Sequence, residues 1–573
     1  MDWSDGRLIP ERRVPRTLIA VVAITAGALV ARLVGLGQRV FHWDEGRVGY
    51  WTLRYMESGV FEYRPIIHGP FLPLVNSQVF TLIGPSDFSA RLVVALVGGL
   101  LPAAAWLFRE HLRDSELVAL ALLLAANPLL LYYSRFMRND VLLATFMLFT
   151  IGFGVRLYDT RKPRYLYASA GVFGLGFTTK ENALLFPIVW LGAIGLLLDY
   201  RLVMARYRDR DWQAILSEHV ARIVHGVRGW GIHSIGSTGL FVVLVMFFYA
   251  PRPGVWRAFT RPTLFPAVIE TATIGTWDKI YTTWISGEGN AYLPYLGDFL
   301  ETLAFGAAPL GLLAVAGFLA NRYAAETPRE FVAFAGYWGF ASILGYPLAT
   351  DIKAPWTTIN AIVPLAIPAA VGAGLLYRRA RRAIVSGNSL DSSLTVLLVL
   401  VVVGGIAVPA VDVAYLNSSS ETNKEVLQWA QPSNEMKPTL QNMMVISAAH
   451  DGTDVLFYGT RNPTNEDEVL FYVSNESSLR QPPPGGPNWH SRLPLPWYLE
   501  RVNATVMSTS PEMNPTELRE DAPPIVIAYS WDQEALAPNL PGYTVYQHDF
   551  KLWDEEIVIF IDNTHPADHE ARE

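Results

Sequence analysis

The sequence predicts a polytopic α-helical membrane protein that ends in a small extracytoplasmic α/β domain. Three observations predict it. Only 17% of the 573 residues are charged, against roughly 25% in soluble domains. Uncharged runs such as 234–250, 331–350 and 394–411 approach the ~20 residues that cross a hydrocarbon core of about 30 Å. The acids gather at the end of the chain: residues 417–573 hold 9 Lys+Arg against 24 Asp+Glu, and residues 1–416 hold 36 against 28. A soluble enzyme of this size is excluded. With no cysteine, so are disulfides, thiolate catalysis, iron–sulfur clusters and Cys-based zinc sites.

Hydropathy places eleven spans, at 17–38, 89–108, 115–133, 140–157, 165–178, 183–199, 234–250, 303–320, 331–350, 357–377 and 393–415. The first is too long, and lacks the cleavage site, to be a signal peptide. Orientation follows from the basic residues that flank alternate loops. Arg12, Arg13 and Arg16, then Arg109 and Arg113, then Arg156, Arg161, Lys162 and Arg164 fall on one side. Arg201, Arg206, Arg208 and Arg210, Arg322, and Arg378, Arg379, Arg381 and Arg382 continue it. That side is cytoplasmic and includes the N-terminus, so the cell-membrane protein carries its tail outside. All the N-x-[ST] acceptors, Asn417, Asn475 and Asn503, lie in the tail, as this orientation requires. The organisation is therefore a membrane domain, 1–416, with a long first outside loop at 39–88, and an acidic domain, 417–573.

In the tail, a helix over 423–430 precedes strands near 455–457, 524–529 and 556–561; the prolines from Pro482 to Pro487 form a loop, and Asp562–Glu573 are frayed. Only seven of the 45 basic residues are Lys. A Lys-poor, acid-rich surface suits a halophilic protein, because salt screens its self-repulsion; an ordinary acidic surface has the same composition.

The spans carry almost no ionisable residue at mid-depth, which argues against an ion-coupled transporter. The polar clusters sit in outside loops instead. The first loop holds Phe41-His42-Trp43-Asp44-Glu45-Gly46 and Ile67-His68-Gly69-Pro70; the second runs Tyr132-Tyr133-Ser134-Arg135-Phe136-Met137-Arg138-Asn139-Asp140. The third is Thr178-Thr179-Lys180-Glu181-Asn182, and the fourth contains Asp351-Ile352-Lys353-Ala354-Pro355-Trp356. Each has a structural reading as well. Asp44 and Glu45 suit the start of a helix, Arg135 and Arg138 suit interfacial anchoring, Lys180 and Glu181 suit a local ion pair, and His68 suits a turn. Their joint placement on one face favours a site.

A carboxylate among cations suits transfer of a group from a phosphate to a neutral hydroxyl. The acid orients or deprotonates the hydroxyl, and Arg and Lys neutralise the phosphate as its bond to carbon breaks. Trp43, Tyr132 and Tyr133 suit packing on a sugar or a lipid chain. There is no Walker A or Rossmann glycine pattern, and a cytosolic nucleotide sugar does not reach this face. A polyprenyl-phosphate sugar does.

The Asp-Glu pair in a long first outside loop and the Arg-rich second loop resemble the GT-C glycosyltransferases, in particular the branch of protein O-mannosyltransferases and aminoarabinose lipid A transferases. Across the chain, WDEG, HGP, YYSRFMRND, TTKEN, KAPW and PWYLERV are similar to archaeal flippase-associated membrane proteins of protein glycosylation. The resemblance implies a GT-C fold and a dolichyl- or other polyprenyl-phosphate-linked sugar donor. It implies a glycan, lipid or protein acceptor amid membrane lipids, and no nucleic acid. It makes Asp44 the catalytic or acceptor-orienting acid, supported by Glu45, with Arg135, Arg138 and Lys180 on the donor phosphate and Lys353 closing the site. His68, Tyr133, Asp140, Glu181 and Trp356 complete the expected substrate-binding set. Glu45, His68 and Asp140 are conceivable ligands for a divalent cation, with no spacing motif behind them. The WWDYG-like signature of oligosaccharyltransferases is absent. Two functions follow: a glycosyltransferase, or a non-catalytic accessory for flipping lipid-linked sugars.

Overall fold

The computed structural model describes residues 15–207, 229–286, 290–325, 328–350, 353–386, 389–476, 487–552 and 555–562, with 213, 217 and 221. Among them, nine helices are long and apolar enough to cross a membrane. They coincide with nine of the eleven spans read from the sequence. The other two spans are also helical but shorter. The chain turns at Asn127, whose side chain caps a helix begun by Pro128, so 115–133 divides into α5 (Asp114–Ala126) and α6 (Pro128–Tyr133). Span 165–178 is the 15-residue α8 (below).

In chain order the first half is α1 (Arg16–Leu33), α2 (Trp43–Ser58), α3 (Phe71–Ile83), α4 (Asp87–Leu100), α5, α6, α7 (Asp140–Thr160), α8 (Pro163–Phe177) and α9 (Leu185–Tyr207). Further spanning helices follow at Gly231–Tyr249, Tyr292–Leu319, Glu330–Ala349, Ile359–Ser386 and Ser389–Val411. The Ile359–Ser386 helix lies at the centre: most of its first half is buried, against neighbours that include α5 and Tyr292–Leu319.

The first outside loop is itself helical, which hydropathy did not reveal. Its helix α2 begins on a reciprocal cap: His42 Nδ1 accepts the Asp44 N–H at 3.0 Å, and Glu45 accepts the His42 N–H at 3.0 Å.

The tail holds a five-stranded mixed sheet, β1 (Val455–Phe457), β4 (Val506–Ser508), β5 (Ile525–Tyr529), β6 (Tyr543–Lys551) and β7 (Glu555–Asp562), in the order β4-β1-β5-β7-β6. A separate hairpin pairs β2 (Thr460–Asn462) with β3 (Asn465–Leu470). Three of the strands were expected. The predicted helix at 423–430 does not form. Its backbone is spent on other segments: the Val426 carbonyl accepts from the Tyr133 hydroxyl at 2.6 Å, the Trp429 carbonyl from the Leu552 N–H, and the Ala430 carbonyl from the Trp43 N–H. The tail's long helix is Lys437–Ala449. Of the loop read at Pro482–Pro487, Pro487 opens a short 3-10 helix, Pro487–Arg492, and of the frayed end read from Asp562, Asp562 itself closes β7; residues 482–486 and 563–573, with Arg12, Arg13, Arg208, Arg210, Asp351 and Ile352, lie outside the described residues.

Alternation along the buried strands divides the tail's side chains between two cores. Leu456, Val526 and Phe560 pack with Leu518, Leu536 and Leu540. Val455, Ile525 and Ile561 face the other way, and that core continues through Trp497 and Tyr498 into Phe41, Val48, Tyr50 and Trp51 of the first loop. The sheet and the first loop thus share one core. The approach is close enough that a Cβ on Gly49 would sit 2.5 Å from the Trp497 ring.

Candidate active site

Asp44 lies in the first turn of α2, 6% exposed. Its Oδ1 accepts from Arg47 Nη2 at 2.7 Å, and its Oδ2 is paired with Arg138. Burial raises the Asp44 carboxyl, but Arg138, Arg47, His42 and Lys180 outweigh it and hold it at about 2. Burial lowers His42 to about 4, leaving it a neutral ring at pH 7.

Arg138 is the hub of the cluster. Beyond Asp44, its Nε reaches Asp140 Oδ2 at 3.4 Å, its Nη2 meets His68 Nε2 at 3.1 Å, and the guanidinium lies 3.9 Å from the centre of the Trp356 ring. Asp140, the first residue of α7, accepts from Lys180 Nζ at 2.8 Å. His68 meets Glu181 Oε2 through Nδ1 at 3.0 Å, and Glu181 Oε1 accepts from the Tyr63 hydroxyl. Because Arg138 donates to Nε2, the His68 proton sits on Nδ1, facing Glu181. Burial and the cations Lys180, Arg138 and Arg47 push the His68 pKa well below its usual value.

The HGP motif is docked on the TTKEN motif by backbone pairing. The Gly69 and Phe71 N–H groups donate at 2.9 Å to the Thr179 and Thr178 carbonyls. A Cβ at position 69 would lie 2.3 Å from the Thr178 oxygen, so only glycine allows the approach. His68 is held at φ +63° just before it, a strained position of the kind found at functional sites.

Seven expected site residues therefore meet in one cluster: Asp44, His68, Arg138, Asp140, Lys180, Glu181 and Trp356. Four do not join it. Glu45 faces away and collects five protein donors: Arg39 at 2.9 Å, Arg91 Nε and Nη2 at 2.7 Å each, Met137 N–H at 2.7 Å and His42 N–H at 3.0 Å. Arg135 caps the end of α1 instead of facing a phosphate: it donates to the Ala31, Arg32, Val34 and Gly35 carbonyls, the groups a helix C-terminus leaves unpaired. Tyr133 packs edge-on against Trp356 at 5.9 Å. Lys353 pairs with Asp298 at 3.2 Å on the rim of a separate cleft of about 410 Å³, lined also by Lys424, Gln428 and Trp429. The suggested metal ligands do not converge either: Glu45 faces Arg39 and Arg91, while His68 and Asp140 both meet Arg138. Among the described residues no group of three or more His, Asp or Glu side chains is placed to hold a metal ion.

Sequence reasoning missed Arg47, Tyr63 and the Arg39–Arg91 pair. Arg47 was legible, since it lies one helical turn after Asp44 in WDEGR; the others depend on tertiary contacts.

Residues 67–207, which contain HGP, YYSRFMRND and TTKEN, match the family model described as dolichyl-phosphate-mannose-protein mannosyltransferase. Residues 436–562 match that of the Agl23 flippase-associated protein C-terminal domain. No curated protein matches the sequence. Among solved structures, apo ArnT from Cupriavidus metallidurans superposes with a TM-score of 0.54 at 17% identity, over 95% of this chain and 98% of that one. This chain has an ArnT-like GT-C fold. ArnT bound to undecaprenyl phosphate gives a TM-score of 0.53 at 17% identity, over 94% of this chain and 97% of ArnT. The archaeal oligosaccharyltransferase AglB from Archaeoglobus fulgidus, with an inhibitory peptide and a dolichol-phosphate, gives 0.48 at 12% identity, over 92% of this chain and 72% of that one. The fold expected from the sequence motifs holds over almost the whole chain, and the ArnT-like body is a multi-pass membrane protein.

Proposed function

We propose that the protein is a membrane glycosyltransferase that moves a sugar from a polyprenyl phosphate to an acceptor outside the membrane. The observation that carries this reading is the buried pairing of Asp44 with Arg138, beside Arg47 and Lys180. It brings three cations together with two carboxylates, Asp44 between Arg138 and Arg47 and Asp140 between Arg138 and Lys180, supplied by loops far apart in sequence. The mannosyltransferase match over residues 67–207 supports the same chemistry, as does the undecaprenyl phosphate held by ArnT. The basic loops support placing the cluster and the tail outside the cell.

Both Asp44 oxygens are occupied in the resting site. A donor phosphate competes for Arg138 and Lys180, and its arrival frees one carboxylate oxygen for the acceptor hydroxyl. The hydroxyl oxygen then bonds to the anomeric carbon as the carbon–phosphate oxygen bond breaks. Its proton passes toward Asp44, and the phosphate leaves with its new charge held by the cations. Trp356, flat against Arg138, limits where that guanidinium moves.

Two changes separate the parts of this scheme. Arg138→Ala removes a charged contact to phosphate, worth about 1.5–3 kcal/mol, so use of the donor is expected to fall roughly 10- to 100-fold, read as kcat/KM in proteoliposomes. Gly69→Ala pushes the 69–71 backbone off the Thr178–Thr179 carbonyls and displaces the adjacent His68 that meets Arg138. A displacement of ~1 Å costs about 10²-fold in rate, and the same assay should show that loss in a protein that still elutes as one peak.

The Agl23-type match at 436–562 favours a second reading, an accessory to the flipping of lipid-linked sugars. Transfer of labelled sugar from a dolichyl-phosphate donor by the purified protein decides between them.

A further inference from the structure

The tail helix Lys437–Ala449 has two apolar stripes. Leu440, Met443 and Ile446 are buried in the core shared with the first loop. Met444, Val445 and Ala448, following Lys437 and Gln441 at the spacing of one helix face, line a separate groove of about 560 Å³ whose other wall includes Phe88 and Val502. Val445 is 46% exposed and Ala448 is exposed beside it, while Met444 is half-buried at the edge of the shared core.

The groove's position says what meets it. It opens beside Asp87, the first residue of the membrane-crossing segment Asp87–Phe108. Leu82, Ile83 and Phe88 are exposed around that point, so the groove stands at the bilayer surface. Its polar end is built around Asp87, which accepts from Trp497 Nε1 at 2.8 Å and the Tyr498 hydroxyl at 3.1 Å. Lys437 also pairs with Asp87, and Arg501 reaches it only at 3.4 Å. Two cations against one carboxylate leave a positive charge at the head of an apolar trough. That pattern complements an amphiphile with one negative headgroup and a hydrocarbon chain.

We propose that this groove seats an anionic phospholipid, its phosphate against Arg501 and Lys437 and its chain along Met444, Val445 and Ala448. The lipid would moor the tail to the bilayer at a point separate from the Asp44 cluster, and the proposal does not depend on the transfer reaction. The absence of native cysteine gives a direct test, because Val445→Cys creates a unique thiol for a nitroxide on the full-length protein. In nanodiscs of phosphatidylglycerol, the nitroxide is expected to be reached by dissolved oxygen and shielded from a water-soluble nickel chelate; in phosphatidylcholine discs the shielding should be lost. Ala448→Trp fills the groove without touching either cation, and Arg501→Gln removes one cation. Each should lose one co-purifying anionic lipid per chain in native mass spectrometry. Equal nickel access in both kinds of disc, or an unchanged lipid count in the folded Ala448→Trp protein, would overturn the proposal.

Discussion

Asp44→Asn is expected to slow sugar transfer severely while the protein remains folded and inserted. The substitution keeps the shape of the side chain and its capacity to accept from Arg47, but removes the negative charge and the proton acceptor. General acid–base contributions are typically about 10²- to 10⁴-fold, and the loss should lie in that range. The two kinetic constants should separate. Asp44 competes with the donor phosphate for Arg138, so its removal leaves that cation freer, and the KM for the lipid donor should not rise as kcat falls. Because the surrounding cations hold the carboxyl at about 2, Asp44 stays ionised from pH 4 upward and contributes no acid limb to the wild-type profile above that. If Asp44→Asn transfers sugar at the wild-type rate, the catalytic reading fails and the accessory reading takes its place.

Glu45→Gln should act on the fold. Glu45 and Arg91 are both fully buried, and Arg39 is 7% exposed. Neutralising the acid strands two guanidinium groups, and losing one partner of a buried pair costs roughly 3–5 kcal/mol, a large part of a typical stability of about 5–15 kcal/mol. The expected result is a marked drop in Tm and yield in detergent, with donor affinity per folded molecule little changed. The pH dependence has a definite sign. Burial raises the Glu45 carboxyl, but Arg39 and Arg91 more than reverse this and bring it to about 2, from a usual 4.5. A depressed carboxyl contributes stability that is fully present above its unfolded value and disappears as pH falls through its folded one. Wild type should therefore weaken between pH 4.5 and 2, and Glu45→Gln should lack that component. A variant as stable as wild type would show that the Arg39–Glu45–Arg91 group does not hold the loop.

The membrane helices were legible because lipid imposes a length and a polarity on each, and all eleven spans correspond to helices. Two came out shorter than the membrane requires of one straight helix, for reasons as local as Pro128. The site was legible as a set of loops but not as a set of partners. Arg135 and Arg138 are three residues apart in one motif, yet one caps the carbonyls of α1 and the other pairs with Asp44. Asp44 and Glu45 are neighbours that meet different partners, because consecutive residues on a helix point about 100° apart. No periodicity announces which of two adjacent charges meets a partner a hundred residues away. The 423–430 segment failed for a related reason: its helical pattern was overridden by tertiary hydrogen bonds to Tyr133, Leu552 and Trp43.

The core shared by the first loop and the sheet bears on the order in which the protein matures. Phe41, Tyr50 and Trp51 leave the ribosome early, but Trp497, Tyr498 and Ile525, which cover them, follow some 450 residues later. At about 5–20 residues per second, these aromatics wait on the order of tens of seconds without their partners. Arg39 and His42 also wait, for Gln431 and Gln428, and both flank the segment that presents Asp44. A chain interrupted after the last spanning helix, Ser389–Val411, but before the sheet is complete would hold all its membrane helices and leave the first loop uncovered. The loop that presents Asp44 thus gains its cover only when the sheet has been made, after the membrane helices are in place.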